Sequence, residues 1–253
     1  MKDYWGARGT TTHSKNDFDY LKKLDDYFSE GIGTNIDKLT SFTKYVPRQS
    51  LTYFLSRYEI FKKILNVHGS IVECGVFFGA GLMTWNQLSS IFEPVNHTRK
   101  IIGFDTFSGF TSLKQEDKGS TSEFAKKGGL SMNSLEDLKK CVEVYENNRF
   151  LNHIPKVELV KGDASKMIPK YIKENPHTVV SLLNLDMDIF EPTKIALEHF
   201  VPRMPKGAVI IFDELNSKDW IGETMAVLDT IGIKNLKIER FSFDSHISYA
   251  VLD

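Results

Sequence analysis

Apolar positions recur at helical spacing early in the chain. The stretch "DFDYLKKLDDYFSEGIG" predicts a helix that stops at Gly31. In "PRQSLTYFLSRYEIFKKIL", Leu51, Phe54, Leu55, Tyr58, Phe61 and Leu65 fall on one face, with Pro47 near the first turn of a second helix. From residue 70 the pattern changes. Short apolar runs, "SIVECG", "KIIGFD", "KVELVKGD", "TVVSLLNLD" and "GAVIIFDE", alternate with helical stretches at 81–92, 134–147, 164–174, 191–201 and 217–230. Strands alternating with helices predict a parallel, doubly wound sheet. Two last runs, "LKIERFSF" and "HISYAVL", flank a turn at Asp244–Ser245 and predict an antiparallel pair at the end of that sheet. Ser134 and Asp137 have the spacing of a capping box. Residues 106–133 are rich in Gly, Ser, Thr and Lys and break the rhythm, as a functional or a disordered loop would. Residues 1–16 read as a disordered or loosely docked arm.

Composition narrows the class. The 253 residues, 41% hydrophobic, suffice for one large α/β domain. A net charge of -1 provides no global basic field for nucleic acid or a membrane surface. Cys74 and Cys141 are too few for a disulfide framework. No run reaches the ~18 apolar residues of a transmembrane helix. The polar start "MKDYWGARGTTTHSKND" has no signal-peptide core, so the expectation is a soluble cytoplasmic protein.

Candidate chemistry begins at "IVECGVFFGAG", a strand, a tight turn with Gly75, Gly79 and Gly81, and a helix start. Such turns receive nucleotide-like ligands. Short-chain dehydrogenases share the glycine order, but their downstream Tyr-x-x-x-Lys is missing here. Glu73, two residues before the first glycine, would repel a pyrophosphate and attract a cation. S-adenosylmethionine carries a sulfonium and an ammonium and no phosphate, so it fits better than NAD. Asp105 ends the second strand, where an acid suits ribose hydroxyls, and Asp163 in "KGDAS" could accept from an adenine amino group or cap a helix.

A second group of acids follows. "LLNLDMDIFEP" places Asp186 and Asp188 after the fourth strand, and "VIIFDELN" places Asp213 and Glu214 after the fifth. Neighbouring carboxylates repel unless a cation neutralises them, and oxygen ligands suit Mg²⁺, Ca²⁺ or Mn²⁺. The alternative is that some cap helices and face water. Asp186-Met187-Asp188 also spells the D-x-D of metal-dependent glycosyltransferases, a reading that leaves the glycine turn and Asp105 without a role.

Taken together, "IVECGVFFGAG", "GFDTFSGF", "VELVKGDAS", "LNLDMDIFEPT" and "GAVIIFDE" resemble the macrocin O-methyltransferase family over about residues 45–252. The resemblance implies a Rossmann-like class I methyltransferase fold: a mostly parallel seven-stranded sheet with an antiparallel C-terminal strand, spanning 67–253. An N-terminal helical extension over 1–66 would form a cap or lid. It implies methylation of a sugar hydroxyl in a glycan, nucleotide-sugar or specialised metabolite, using S-adenosylmethionine and Mg²⁺ (or Mn²⁺). Glu73, Gly75, Gly79, Gly81, Asp105, Thr106, Asp163 and Ala164 would then hold the cofactor, and Asp186, Asp213 and Glu214 the metal. Asp186 is also the candidate base, Arg48 and Asp188 are candidate substrate contacts, and 108–133 with the 48–65 helix would wall the acceptor. The expected partner is a sugar acceptor, with no nucleic acid or membrane, and the chain is expected to be a homo-oligomer. A catalytically silent nucleoside-binding relative is the remaining alternative. Two features depart from the family pattern: Asp213-Glu214 replaces Asp-Asp, and Phe77-Phe78-Gly79-Ala80 replaces Trp-Arg-Gly-Gly.

Overall fold

The computed structural model describes residues 14–253. Most of the arm expected over 1–16 therefore lies outside the described residues, and its last two positions already belong to a helix. The chain divides into two compact units after Leu55. The sequence reading places a boundary at 66, at the end of the helix in which this division falls.

The first unit holds α1 (Lys15–Glu30), α2 (Asn35–Thr40) and the start of α3 (Arg48–Ile64). α1 ends at Gly31 as its sequence predicts. α2 is a short helix that the apolar pattern does not announce. A reciprocal cap starts it: the Asp37 amide donates to Thr34 Oγ1 at 3.2 Å, and the Thr34 amide donates to Asp37 Oδ2 at 2.8 Å. Tyr45 stacks on Tyr27 with ring centres 5.4 Å apart.

The second unit contains β1 (Ser70–Cys74), α4 (Ala80–Phe92), β2 (Ile101–Asp105), α5 (Leu135–Glu146), β3 (Val157–Lys161), α6 (Ala164–Glu174), β4 (Val180–Leu185), α7 (Phe190–Phe200), β5 (Val209–Phe212), α8 (Ile221–Asp229), β6 (Ile238–Arg240) and β7 (Ser248–Val251). The seven strands form one sheet in the order β3-β2-β1-β4-β5-β7-β6. β7 runs antiparallel to both β5 and β6, and the first five strands are parallel. Successive strand side chains point to opposite faces. Val72, Ile102, Leu183 and Ile210 pack on one face with Ile168 and Phe200, while Ile71, Ile101, Leu182 and Val209 pack on the other with Phe61, Leu82 and Trp85. Both faces are covered, as a parallel sheet requires.

Three local expectations are corrected. The buried side of α3 is Ser56, Arg57, Ile60, Phe61 and Ile64, while Phe54 and Leu55 are exposed. The predicted face is rotated because two polar residues turn inward, Ser56 donating to Asp244 and Arg57 lying over the Trp85 ring. Ser134 forms no capping box. Its backbone is helical and its hydroxyl donates to the Phe77 carbonyl instead. α8 begins at Ile221 rather than 217, because residues 214–217 make a turn in which the Ser217 amide donates to the Glu214 carbonyl.

Candidate functional site

The register levels the carboxyl ends of four parallel strands. Cys74 pairs with Phe104 and with Leu185, and Leu185 pairs with Phe212. The next residues, Gly75, Asp105, Asp186 and Asp213, therefore line one edge of the sheet, where open α/β sheets place ligands.

The turn after β1 is shaped by its glycines and held from β2. Gly75 and Gly79 have φ of 92° and 90°. Each of these glycines, expected from the sequence to let a ligand approach, also allows a close approach within the protein. A Cβ on Gly75 would lie 1.7 Å from the Asp186 carbonyl oxygen, one on Gly79 2.1 Å from Leu138 Cδ2, and one on Gly81 2.5 Å from Glu73 Oε2. The amides of Val76 and Phe77 both donate to Asp105 Oδ2 at 2.8 Å, and the Phe107 amide donates to Oδ1 at 2.6 Å. Asp105 thus fixes the turn, and Oδ1 keeps acceptor capacity for a hydroxyl.

Glu73, expected from the sequence as a cofactor contact, lies under the same turn. It is 2% exposed and lies beneath the first turn of α4. Its Oε2 accepts from Trp85 Nε1 at 2.7 Å and Asn184 Nδ2 at 3.3 Å, two partners within the fold. Burial pushes its carboxyl up to about 7, against the pull of the Arg57 guanidinium and these hydrogen bonds. Arg57 was not legible as a partner, because it falls outside the apolar face the spacing predicts.

Asp163 is the N-cap of α6. Its Oδ1 accepts from the Ser165 amide at 3.0 Å, and its Oδ2 accepts from Thr111 Oγ1 at 2.7 Å. Ala164 follows as the first residue of α6, and Thr106 donates to the Gly109 carbonyl at 2.8 Å. Arg48 opens α3 in the first unit.

At the β4 and β5 ends the acids gather around a residue that the sequence reading misses. Glu223, in the first turn of α8, is fully buried. Its carboxyl is held well above the usual range, first by burial and then by the charges of Asp213, Glu214 and Asp188. Its Oε1 accepts from the Glu214 amide at 3.1 Å, and its Oε2 has no hydrogen-bond partner. The signal was present in the spacing: Glu223 shares a helix face with Ala226 and Val227, both buried, so an acid occupies a core position. β4 ends at Leu185, and Asp188 adopts a left-handed φ of 61°. The strand has therefore ended before Asp188, whose charge adds to those that raise the Glu223 carboxyl. Among the described residues no three His, Cys, Asp or Glu side chains are arranged to hold a metal ion.

The segment after β2 is built rather than loose. Asp117, 3% exposed, accepts from the Phe190 amide at 2.8 Å and the Lys114 amide at 2.7 Å, which ties it to the start of α7. The Thr121 amide donates to the Lys218 carbonyl at 3.2 Å, and the Ile221 amide donates to Ser120 Oγ at 3.3 Å. Among the described residues no helix is long and apolar enough to cross a membrane.

Comparison with known proteins agrees with this arrangement. A family model described as macrocin O-methyltransferase (TylF) matches residues 58–230, more than half of the chain. The calicheamicin methyltransferase CalS11 superposes with a TM-score of 0.90 at 29% identity, covering 94% of this chain and 93% of that one. The apo structure of CalS11, described as a TDP-rhamnose 3'-O-methyltransferase, superposes at 0.82 with 29% identity over 94% and 95%. The O-methyltransferase NovP shares the fold, with a TM-score of 0.62 and 17% identity over 80% of each chain. A comparison with curated proteins finds no match. With a glycine turn, an acid on the second strand and acids at the fourth and fifth strand ends in one sheet edge, the chain belongs to the macrocin O-methyltransferase family and is an S-adenosylmethionine-dependent O-methyltransferase.

Proposed function

We propose that the chain methylates a sugar hydroxyl at the edge shared by the glycine turn and the β4 end. One observation carries this: Gly75 packs directly on the Asp186 backbone, so the turn that holds the cofactor and the candidate base are in contact. The donor set fits the cofactor. Asp105 Oδ1 keeps acceptor capacity for a ribose hydroxyl, Thr106 and Ala164 flank the same edge, and Asp163 stands at the third strand end. S-adenosylmethionine supplies an activated methyl group and leaves as a thioether. In this reading the protein orients the acceptor oxygen and Asp186 removes its proton. The family match and the DMD segment's place beside the turn favour this over a glycosyltransferase or a silent relative.

The same reading includes a divalent cation, Mg²⁺ or Mn²⁺, at Asp186, Asp213 and Glu214, with Asp188 toward the acceptor. The carboxylate chemistry and the unpartnered Oε2 of buried Glu223 fit a hard cation, although the side chains are not drawn around one point. Such a cation would lower the pKa of a bound hydroxyl. The test is labelled methyl transfer to a panel of sugar acceptors, in EDTA and after Mg²⁺ or Mn²⁺ is restored. Asp186→Asn is expected to lose at least ~100-fold in turnover while retaining S-adenosylhomocysteine binding. Full activity in EDTA removes the metal and leaves Asp186 as a simple base. A homo-oligomer and a cytoplasmic location belong to the same proposal. Exposed Ile32, Ile36 and Leu39 support the former, and light scattering that gives a monomer mass would overturn it.

A further inference from the structure

We propose that a lysine-lined pocket formed by residues 113–127 binds the diphosphate of a nucleotide-linked acceptor. The pocket has a volume of about 410 Å³, within the range of small-ligand sites. Lys114, Lys118, Lys126 and Lys127 line it, and Asp117 is the sole carboxylate among its lining residues. Asp117 is held by the Phe190 and Lys114 amides and offers one negative charge to four lysines. Lys114 lies 3.6 Å from Glu191, while Lys118, Lys126 and Lys127 have no ion-pair partner among the described residues. Glu116 and Glu191 lie near Asp117, so four lysines face three acids and the cavity keeps a positive excess in a chain with a net charge of -1.

The lysines are presented by anchored turns. The Lys118 amide donates to the Gln115 carbonyl at 3.1 Å and the Ser120 amide to the Asp117 carbonyl at 3.2 Å. On the other side, the Gly129 amide donates to the Lys126 carbonyl at 2.8 Å, the Gly128 amide donates to the Phe110 carbonyl at 2.8 Å, and the Phe110 amide donates to the Gly129 carbonyl at 3.2 Å. A neutral sugar gives such a site nothing to bind, whereas a diphosphate offers acceptor oxygens to several ammonium groups at once. The pocket also lies beside the acids. Asp117 bonds the amide two residues beyond Asp188 and packs against Gly222, the residue before Glu223. A sugar whose diphosphate sits on the lysines would extend toward that edge. This inference rests on the sugar O-methyltransferase reading and names the acceptor class within it.

The experiment is calorimetric titration with thymidine diphosphate, uridine diphosphate, inorganic phosphate, a short single-stranded RNA and S-adenosylhomocysteine. The proteins are wild type, Lys118→Ala/Lys126→Ala and Lys118→Arg/Lys126→Arg. A nucleoside diphosphate is expected to bind wild type, to bind the alanine variant at least about tenfold more weakly, and to recover with the arginine variant. S-adenosylhomocysteine affinity should be unchanged throughout, which also shows that the variants are folded. Absence of diphosphate binding to wild type, or equal affinity in the alanine variant, overturns the pocket. So does inorganic phosphate that binds as tightly as the diphosphate, or RNA that binds more tightly with the same lysine dependence. If wild type binds the diphosphate but not S-adenosylhomocysteine, the pocket stands and the methyl-transfer reading falls.

Discussion

At the scale of single residues, the site depends on groups whose usual roles have been exchanged. Glu73 sits where an acid would meet a ligand, yet it is buried under α4 with Trp85, Asn184 and Arg57. Its carboxyl is raised from 4.5 to about 7 by burial. Between those values the folded protein holds a proton that the unfolded chain releases. Glu73 therefore contributes most below pH 4.5, and that contribution is lost as pH rises through about 7. Glu73→Gln should remove this dependence and gain about 3 kcal/mol relative to wild type between acid pH and pH 8, since each tenfold change in proton affinity is worth ~1.4 kcal/mol. The new amide can keep the Trp85 bond and donate to Asn184 Oδ1, which lacks a partner. Urea denaturation at several pH values checks this, and parallel curves for the two proteins would refute it. Gly75 is the stricter position. Alanine there combines a φ of 92° with an overlap on the Asp186 carbonyl. Gly75→Ala is expected to cost more than ~3 kcal/mol, read as a lowered denaturation midpoint.

Among the elements, the strands and most helices were legible because period-2 and period-3.6 patterns are strong over 70–253. The seven-stranded sheet and its antiparallel last strand follow from them. The inward side of α3 was not legible, since Arg57 and Ser56 are buried only through partners at Trp85 and Asp244, far along the chain. The strand-end acids were legible as a group, but Glu223 was hidden inside an apolar helix whose register with Asp213 and Glu214 is a tertiary fact. Asp163 shows the same limit, for a carboxylate at a strand end and an N-cap look alike in sequence. The strap over 106–133 was legible as broken rhythm and as a candidate wall over the acceptor, but not as an ordered segment. Its order comes from Asp117, which caps α7 from a distance. Asp117→Ala should leave the Phe190 and Lys114 amides without their acceptor and destabilise the strap by about 2–4 kcal/mol. Hydrogen exchange is expected to quicken over 114–128 while the β-strands keep their protection. Unchanged exchange there would show that Asp117 does not anchor the strap. We read 108–133 as the cover over the acceptor, and added cofactor and acceptor should slow exchange in the same segment.

On the scale of the whole molecule, the site is assembled from parts distant in sequence. The turn after β1 needs Asp105 from β2, the acids need β4, β5 and α8, and the lysine pocket needs the strap. β7 adds a temporal consequence. It follows β6 in the chain, yet it inserts between β5 and β6 and supplies the hydrogen bonds of the β5 edge. During synthesis, β1 to β5 can emerge and pair while that edge stays bare, an apolar row ending in Val209, Ile210, Ile211 and Phe212. Unpaired apolar edges invite pairing with other chains. The nascent protein thus carries an adhesive edge until β7 has emerged, and its yield in a cell should depend on how well that interval is shielded.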